Sequence, residues 1–175
     1  QQMIDMARLY RQPTLLTQRT EKMKSATESA PPDSETVTIS IRCDTILDNY
    51  DDLDPALRSE EFVPPDGVIL AQTEYVLRPG DTVFDILDRA VRYNKIQMEY
   101  QGADKNSYGS VYVQGIHYLY EFSCGALSGW MYRVDGEFPN YGCSKYELRD
   151  GQVIEWVYTC DLGHDVGCEW IEEDV

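Results

Sequence analysis

Basic residues are scarce in this sequence: 15 Lys and Arg stand against 31 Asp and Glu, a net charge of −16 over 175 residues. Residues 1–35 balance Arg8, Arg11, Arg19, Lys22 and Lys24 against Asp5, Glu21, Glu28, Asp33 and Glu35, so the whole imbalance falls on residues 36–175. A body of that charge repels nucleic-acid phosphates and anionic lipid heads, which removes both from the expected partners; solubility is its plain use. Histidine is nearly absent, with only His117 and His164. None of the five cysteines (Cys43, Cys124, Cys143, Cys160, Cys168) is spaced as CxxC, so no zinc signature arises. Neither GxxxxGK[ST] nor GxSxG occurs, and no two acids have a spacing that fixes both carboxylates on one pocket. A Cys–His nucleophile would need His117 beside Cys124 or Cys143, or His164 beside Cys160, and no local signature surrounds any of them. The chain therefore reads as a non-enzyme that requires no cofactor and no metal. No apolar run is long enough to span a bilayer, and the start has no signal-peptide core.

What is plentiful is aromatic and strand-forming material. The chain is 42% hydrophobic and holds 3 Trp, 13 Tyr and 4 Phe, enough to fill a core. Most of these rings fall between Tyr108 and Tyr158. In Gly129-Trp130-Met131-Tyr132-Arg133-Val134, residues Trp130, Tyr132 and Val134 share one face of a strand, with Met131 and Arg133 on the other. Asp135-Gly136 then supplies a tight hairpin turn. Asp150-Gly151 repeats the device before Val153–Tyr158, which is rich in β-branched and aromatic residues.

Taken in order, residues 3–24 read as a short amphipathic helix interrupted at Pro13, and residues 25–34 have linker composition. Residues 1–35 are thus expected to be a partly helical or disordered tether, reaching a membrane only through an N-terminal anchor missing from this sequence. Val37-Thr38-Ile39-Ser40-Ile41-Arg42-Cys43 is a clean alternating strand facing Val37, Ile39, Ile41 and Cys43 inward. The acidic stretch 44–61 lacks the spacing and glycine of an EF-hand loop and reads as a solvated loop rather than a calcium site. A second strand is expected at about 68–77. Thr82 with Asp85 approximates a capping box for a helix whose stripe is Val83, Leu87, Ala90 and Val91, with Asp85, Asp88, Arg89 and Arg92 facing out. Strands at 111–116, 129–134 and 153–158 follow, and residues 168–175 form an acidic tail.

Two strands, a crossing helix and three strands predict an α+β, β-grasp (ubiquitin-like) mixed sheet over 36–167, with the first and last strands as central neighbours. That arrangement brings Cys43 towards Cys160 and leaves Cys124 and Cys143 flanking the Trp130 hairpin. Disulfides Cys43–Cys160 and Cys124–Cys143 are the pairings to test, buried unpaired thiols being the alternative; four cysteines alone allow three connectivities.

Four motifs in this order, Pro79–Leu87, Tyr112–Ile116, Gly129–Glu137 and Leu148–Trp156, resemble the transcobalamin-like C-terminal domain of bacterial surface proteins and vitamin B12 carriers. The resemblance spans roughly 36–166. It implies an exported, surface-tethered location, typically in a Gram-positive gut bacterium, and non-covalent ligand binding, with a corrinoid such as cobalamin as the named candidate. In the carriers the vitamin is held between this domain and a large α-helical barrel. Only 35 residues precede the domain here, so a corrinoid would bury one face unless a separate partner covers the other. The region nearest the ligand in the carriers is matched by Ser128, Gly129, Trp130, Met131, Tyr132, Phe138, Asn140 and Tyr141. These are the expected binding residues; on whichever face points inward, Trp130 and Tyr132 are ordinary core. The other expectation is a structural or adhesive envelope module that pairs with another surface protein by strand addition, and, third, carbohydrate binding.

Overall fold

The computed structural model describes residues 31–169. Most of the expected tether and of the acidic tail lies outside the described residues; Cys168, at the expected start of that tail, is buried. The architecture is α+β, mostly strand with one α-helix among the described residues.

Strand β1 (Thr36–Arg42) alternates buried and half-buried positions along its length, as its Val-x-Ile-x-Ile pattern requires. It is flanked by β2 (Val68–Val76), which runs antiparallel to it, and by β7 (Val153–Thr159), which runs parallel with Ile39 opposite Ile154 and Ile41 opposite Trp156. β6 (Gly129–Val134) closes the sheet in the order β2-β1-β7-β6. The first and last strands are therefore central neighbours, as the order of elements predicts. Helix α1 (Val83–Tyr93) starts where the capping box places it: the Thr82 hydroxyl accepts from Asp85 N and the Asp85 carboxylate accepts from Thr82 N. Its stripe Val83, Ile86, Leu87, Ala90 and Val91 is buried against β1, β7 and β2 residues in the main core. Each fully buried aliphatic side chain contributes roughly 1.5–3 kcal/mol, so this stripe fixes the helix on the sheet. Arg89, expected to face out, instead turns back to a 3.0 Å ion pair with Asp81, whose carboxylate also accepts from Arg78 N.

A second sheet was not legible beforehand. β3 (Met98–Gln101), β4 (Tyr112–Ile116) and the short β5 (Leu119–Tyr120) form an antiparallel trio, of which only β4 was expected. The acidic stretch also departs from its reading as a solvated loop. It folds into 3-10 turns at Asp44–Asp48, Tyr50–Asp52 and Pro55–Leu57, whose Ile46, Leu53 and Leu57 join Phe62, Val63, Tyr118, Leu119 and Tyr158 in a second core. Apolar side chains set between the acids supply the burial that offsets ordering the segment.

The expected disulfides are corrected by this packing. Cys43, Cys124, Cys143 and Cys160 form no disulfide with one another. Cys143 belongs to the main core, with its thiol 3.6 Å from Val111 O, whereas Cys124 belongs to the second core, so the two cannot bridge. Cys43 and Cys160 both border the second core, but the Cys160 thiol faces the Thr45 hydroxyl and the Cys124 thiol rather than Cys43.

Candidate functional site

The turn after β6 has the geometry that Asp-Gly predicts: Asp135 and Gly136 take φ of 51° and 82°, and Val134 exchanges both backbone hydrogen bonds with Glu137. The return arm ends there. Only the Val134–Glu137 bridge forms, and the chain from Phe138 to Gly142 leaves the sheet as a loop. Tyr132 ties this loop down by donating its hydroxyl to Tyr141 O. The other end is pinned by the helix: Val83 N and Phe84 N, two first-turn amides without intrahelical partners, donate to Tyr146 O and Cys143 O.

Between this loop, β6 and the segment leading into β4 lies a groove of about 370 Å³. Trp130, Met131 and Tyr132 line it from β6, Tyr108, Ser110, Val111 and Tyr112 from one side, and Phe138, Pro139, Asn140, Tyr141 and Gly142 from the other. None of these lining residues carries a charge, a marked contrast with a chain of net charge −16. The rim rings are open to solvent, Tyr108 at 78% and Tyr141 at 53% exposure. A smaller hollow of about 220 Å³ continues past Tyr112, Trp130 and Met131 to Glu121, Phe122, Leu127, Ser128, Gly129, Thr159 and Leu162. A larger one of about 610 Å³ near the end of α1 sets Val91, Ile96, Met98 and Tyr100 among the charged Asp88, Arg92, Lys95 and Glu99. Its four charged side chains set it apart from the mostly apolar small-molecule sites with only a few polar groups.

The groove is held rigid from behind. The Trp130 indole N–H donates to Leu119 O at 2.8 Å, and its ring meets Tyr158 edge-on at 5.2 Å. Tyr132 tilts over Trp156 at 5.4 Å, and Tyr141 stacks on Tyr146 at 5.6 Å with 12° between planes. Such pairs add about 0.5–1.5 kcal/mol each beyond their burial. Arg133 lies over the Phe138 ring at 5.9 Å while paired with Glu155 at 2.9 Å, so its charge is neutralised behind the wall. Beneath Gly142, the Ser110 and Ser144 hydroxyls meet at 2.9 Å, and Val111 N donates to Ser144 Oγ. Burial, then the hydrogen bond to Glu121, pushes the Tyr112 phenol up to about 12, and burial raises Tyr132 also. Both phenols stay protonated at neutral pH and act as amphipathic contact surface rather than as acids or bases.

Of the residues expected in the site, Trp130, Met131, Tyr132, Phe138, Asn140 and Tyr141 come together on the groove. Ser128 and Gly129 line the adjoining hollow instead; the Ser128 hydroxyl donates to Gly125 O and accepts from Cys124 N. The sequence reading missed Tyr108, Ser110, Val111, Tyr112, Pro139 and Gly142. Tyr108, Ser110, Val111 and Tyr112 meet β6 only through the packing of the two sheets, which no local pattern encodes, whereas Pro139 and Gly142 lie in the same loop as Phe138, Asn140 and Tyr141. The two histidines sit against backbone carbonyls, His117 Nε2 at 3.0 Å from Glu61 O and His164 Nδ1 at 3.0 Å from Asp161 O. Burial pushes the Cys43, Cys143 and Cys160 thiols up to about 12, away from nucleophilic thiolate. Among the described residues no group of three or more His, Cys, Asp or Glu could hold a metal ion, and nothing in the arrangement supports an enzymatic activity.

Residues 80–160 match the family described as Domain of unknown function (DUF4430). The four motifs that carry the transcobalamin-like resemblance run from Pro79 to Trp156, over the same segment. No curated protein matches the chain. Among solved structures, one neighbour is a candidate metal-binding protein from Ruminococcus gnavus ATCC 29149, at 10% identity and TM-score 0.41, covering 71% of this chain and 96% of that one. Another is haptocorrin in complex with Cbi, at 12% identity and TM-score 0.43, covering 74% of this chain and 26% of haptocorrin. The chain thus spans about a quarter of haptocorrin's length.

Proposed function

We propose, taking residues 80–160 as a DUF4430 domain, that this chain is a non-catalytic binding module whose groove beside β6 receives one face of a flat, largely uncharged ligand. The observation that carries this reading is the uncharged aromatic lining of that groove on so acidic a body. Desolvating it costs no charge burial, and its Tyr and Trp rings offer wide contact at small entropy cost. A corrinoid is the named candidate, on the strength of the motif resemblance. The groove's volume is at the small end for an enclosed site and it opens to solvent along Tyr108 and Tyr141. A molecule as large as a corrinoid would therefore leave its other face for a partner protein. The finer fold assignment, β-grasp, belongs with this proposal; the parallel β1–β7 pair at the sheet centre, crossed by α1, supports it. An extracellular, surface-tethered location in a bacterium is likewise part of this proposal. A second reading, docking of another surface protein, is favoured by the exposed Phe122, Leu127 and Leu162 that extend the apolar strip beyond the groove.

Titration with cobalamin and cobinamide at ~100 µM tests the choice, since a useful carrier binds at micromolar affinity or better. Binding should shift the visible corrinoid spectrum and raise Tm by mass action, and Trp130→Ala should weaken it about tenfold or more. If neither spectrum nor Tm changes, the corrinoid reading fails and the protein-docking reading takes its place.

A further inference from the structure

Two of the five thiols share one small structure that the groove does not use. The turn Asp44–Asp48 and its capping residue Asn49 carry both: the Cys160 thiol lies 3.7 Å from the Thr45 hydroxyl, and the Cys124 thiol donates to Asn49 O at 3.4 Å. Asn49 Nδ2 in turn donates to Thr45 O at 2.9 Å, so the two anchors are one turn apart on a single rigid piece. The strand register leads to the same place. Gly129 pairs with Thr159, and Leu162 N donates to Leu127 O beyond it, which sets Ser128 alongside Cys160. Ser128 Oγ accepts from Cys124 N at 3.0 Å. The Cys124 and Cys160 thiols accordingly lie within hydrogen-bonding reach of one another.

We propose that Cys124 and Cys160 form a disulfide when the chain meets a low-molecular-weight disulfide, leaving Cys43, Cys143 and Cys168 as thiols. Cys160, the only one of the five that is not fully buried, is the entry point. Its thiolate attacks a sulfur of the external disulfide, giving a mixed disulfide and releasing one external thiol. The Cys124 thiolate then attacks the Cys160 sulfur and releases the second. Two electrons and two protons pass to the external disulfide, which becomes two thiols. The bond would tie together the two ends of the segment that carries Trp130, Tyr132, Phe138 and Tyr141. It would also clamp that segment to the second core through Thr45 and Asn49. Burial holds the Cys160 thiol at about 12, so in the folded chain the exchange is slow at neutral pH and the bond forms fastest during folding, before the thiols are covered.

The experiment is refolding of the full chain in a mixture of glutathione disulfide and glutathione, followed by alkylation and cleavage on the N-terminal side of aspartates, which separates Cys160 from Cys168. The expected product has three alkylated cysteines and a Cys124–Cys160 linked peptide. Its Tm should stand on the order of 10 °C above that of the same sample after reduction, since the bond closes a loop of tens of residues. Cys124→Ser and Cys160→Ser should each abolish the linked peptide and the difference in Tm. Five alkylated cysteines after oxidative refolding, or a bond that includes Cys43, Cys143 or Cys168, would overturn the proposal. Neither result depends on what the groove binds.

Discussion

Gly142 sets the position of one groove wall, and replacing it should show how tightly that wall is packed. A Cβ at this position would lie 1.7 Å from Ser110 Oγ and 2.3 Å from Ser110 Cβ. The first clash could be relieved by rotating the serine hydroxyl; the second could not, because Ser110 Cβ moves only with its backbone. In Gly142→Ala, therefore, the loop 138–142 must move away from the segment before β4, breaking the Ser110–Ser144 contact. Overpacking of this kind costs about 1–3 kcal/mol, and the hydrogen bond adds roughly 1. We expect a loss of about 2–4 kcal/mol, or on the order of 5–10 °C in Tm. The reasoning makes a sharper claim about the suppressor. Removing the Ser110 side chain leaves Ser110 Cα as the nearest of those atoms, at 3.7 Å, an ordinary contact. Ser110→Gly should cost stability by itself yet restore much of what Gly142→Ala loses, giving a favourable coupling of about 1–2 kcal/mol in a denaturant double-mutant cycle. Gly136→Ala is the control, since nothing lies within 4 Å of its Cβ and only its φ of 82° is strained. It should cost roughly 1 kcal/mol with no response to Ser110→Gly. Additive effects of Ser110→Gly and Gly142→Ala, or a Gly142→Ala protein melting with the parent, would refute this account of the wall.

Alkaline pH should destabilise the fold over a defined window. Burial raises the Cys43, Cys143 and Cys160 thiols from 9.0 to about 12 and the Tyr112 and Tyr120 phenols from 10.0 to about 12. The folded state favours the neutral protonated forms, so their stabilising contribution is complete below pH 9 and is lost progressively as pH rises towards 12. Tm should fall through that range, with phenolate absorbance appearing together with unfolding; free titration of all tyrosines near pH 10 in a folded protein would contradict it. The Asp81–Arg89 pair offers a separate test. Asp81→Ala strands a half-buried guanidinium and leaves Arg78 N without its acceptor, and should cost about 2 kcal/mol in chemical denaturation, whereas Asp88→Ala, which breaks the exposed pair with Arg92, should cost under about 0.5.

The parts of the fold that could be read in advance are those whose signals are local. Alternation in Val37–Cys43, the Thr82–Asp85 capping box and the Asp135-Gly136 turn each act over a few residues, and each appears where the sequence places it; at Asp150-Gly151 the chain also turns, but only Gly151 takes a positive φ and no tight hairpin forms. The second core was obscured because its apolar residues are scattered among acids with neither helical nor strand period; Ile46, Leu53, Leu57 and Phe62 meet only through 3-10 turns. The cysteine partners were misassigned for a related reason. Where Cys124 lands depends on the path from Ile116 to Ser128, which turns at His117, Tyr118 and Phe122, all with positive φ and none of them glycine. Residues of that kind give no advance notice of a turn, because ordinarily they avoid the left-handed region.

The groove divides along the same line. Its β6 side and the Phe138–Tyr141 loop were identified from one continuous stretch of sequence, where a strand ends in a tight turn and the chain must leave the sheet. Its opposite side comes from Tyr108 to Tyr112, in contact with β6 only because β4 packs beside it in a second sheet whose edge strands, Met98–Gln101 and Leu119–Tyr120, carry little alternation of their own. The same packing explains why the site is uncharged. Among the described residues the acids, Asp81 apart, lie where water reaches them, while the meeting of two sheets selects Val111, Trp130 and Tyr132, which lose little when water is removed. A binding surface of this type is thus a by-product of where two sheets meet, and its ligand has to match the shape that junction leaves open.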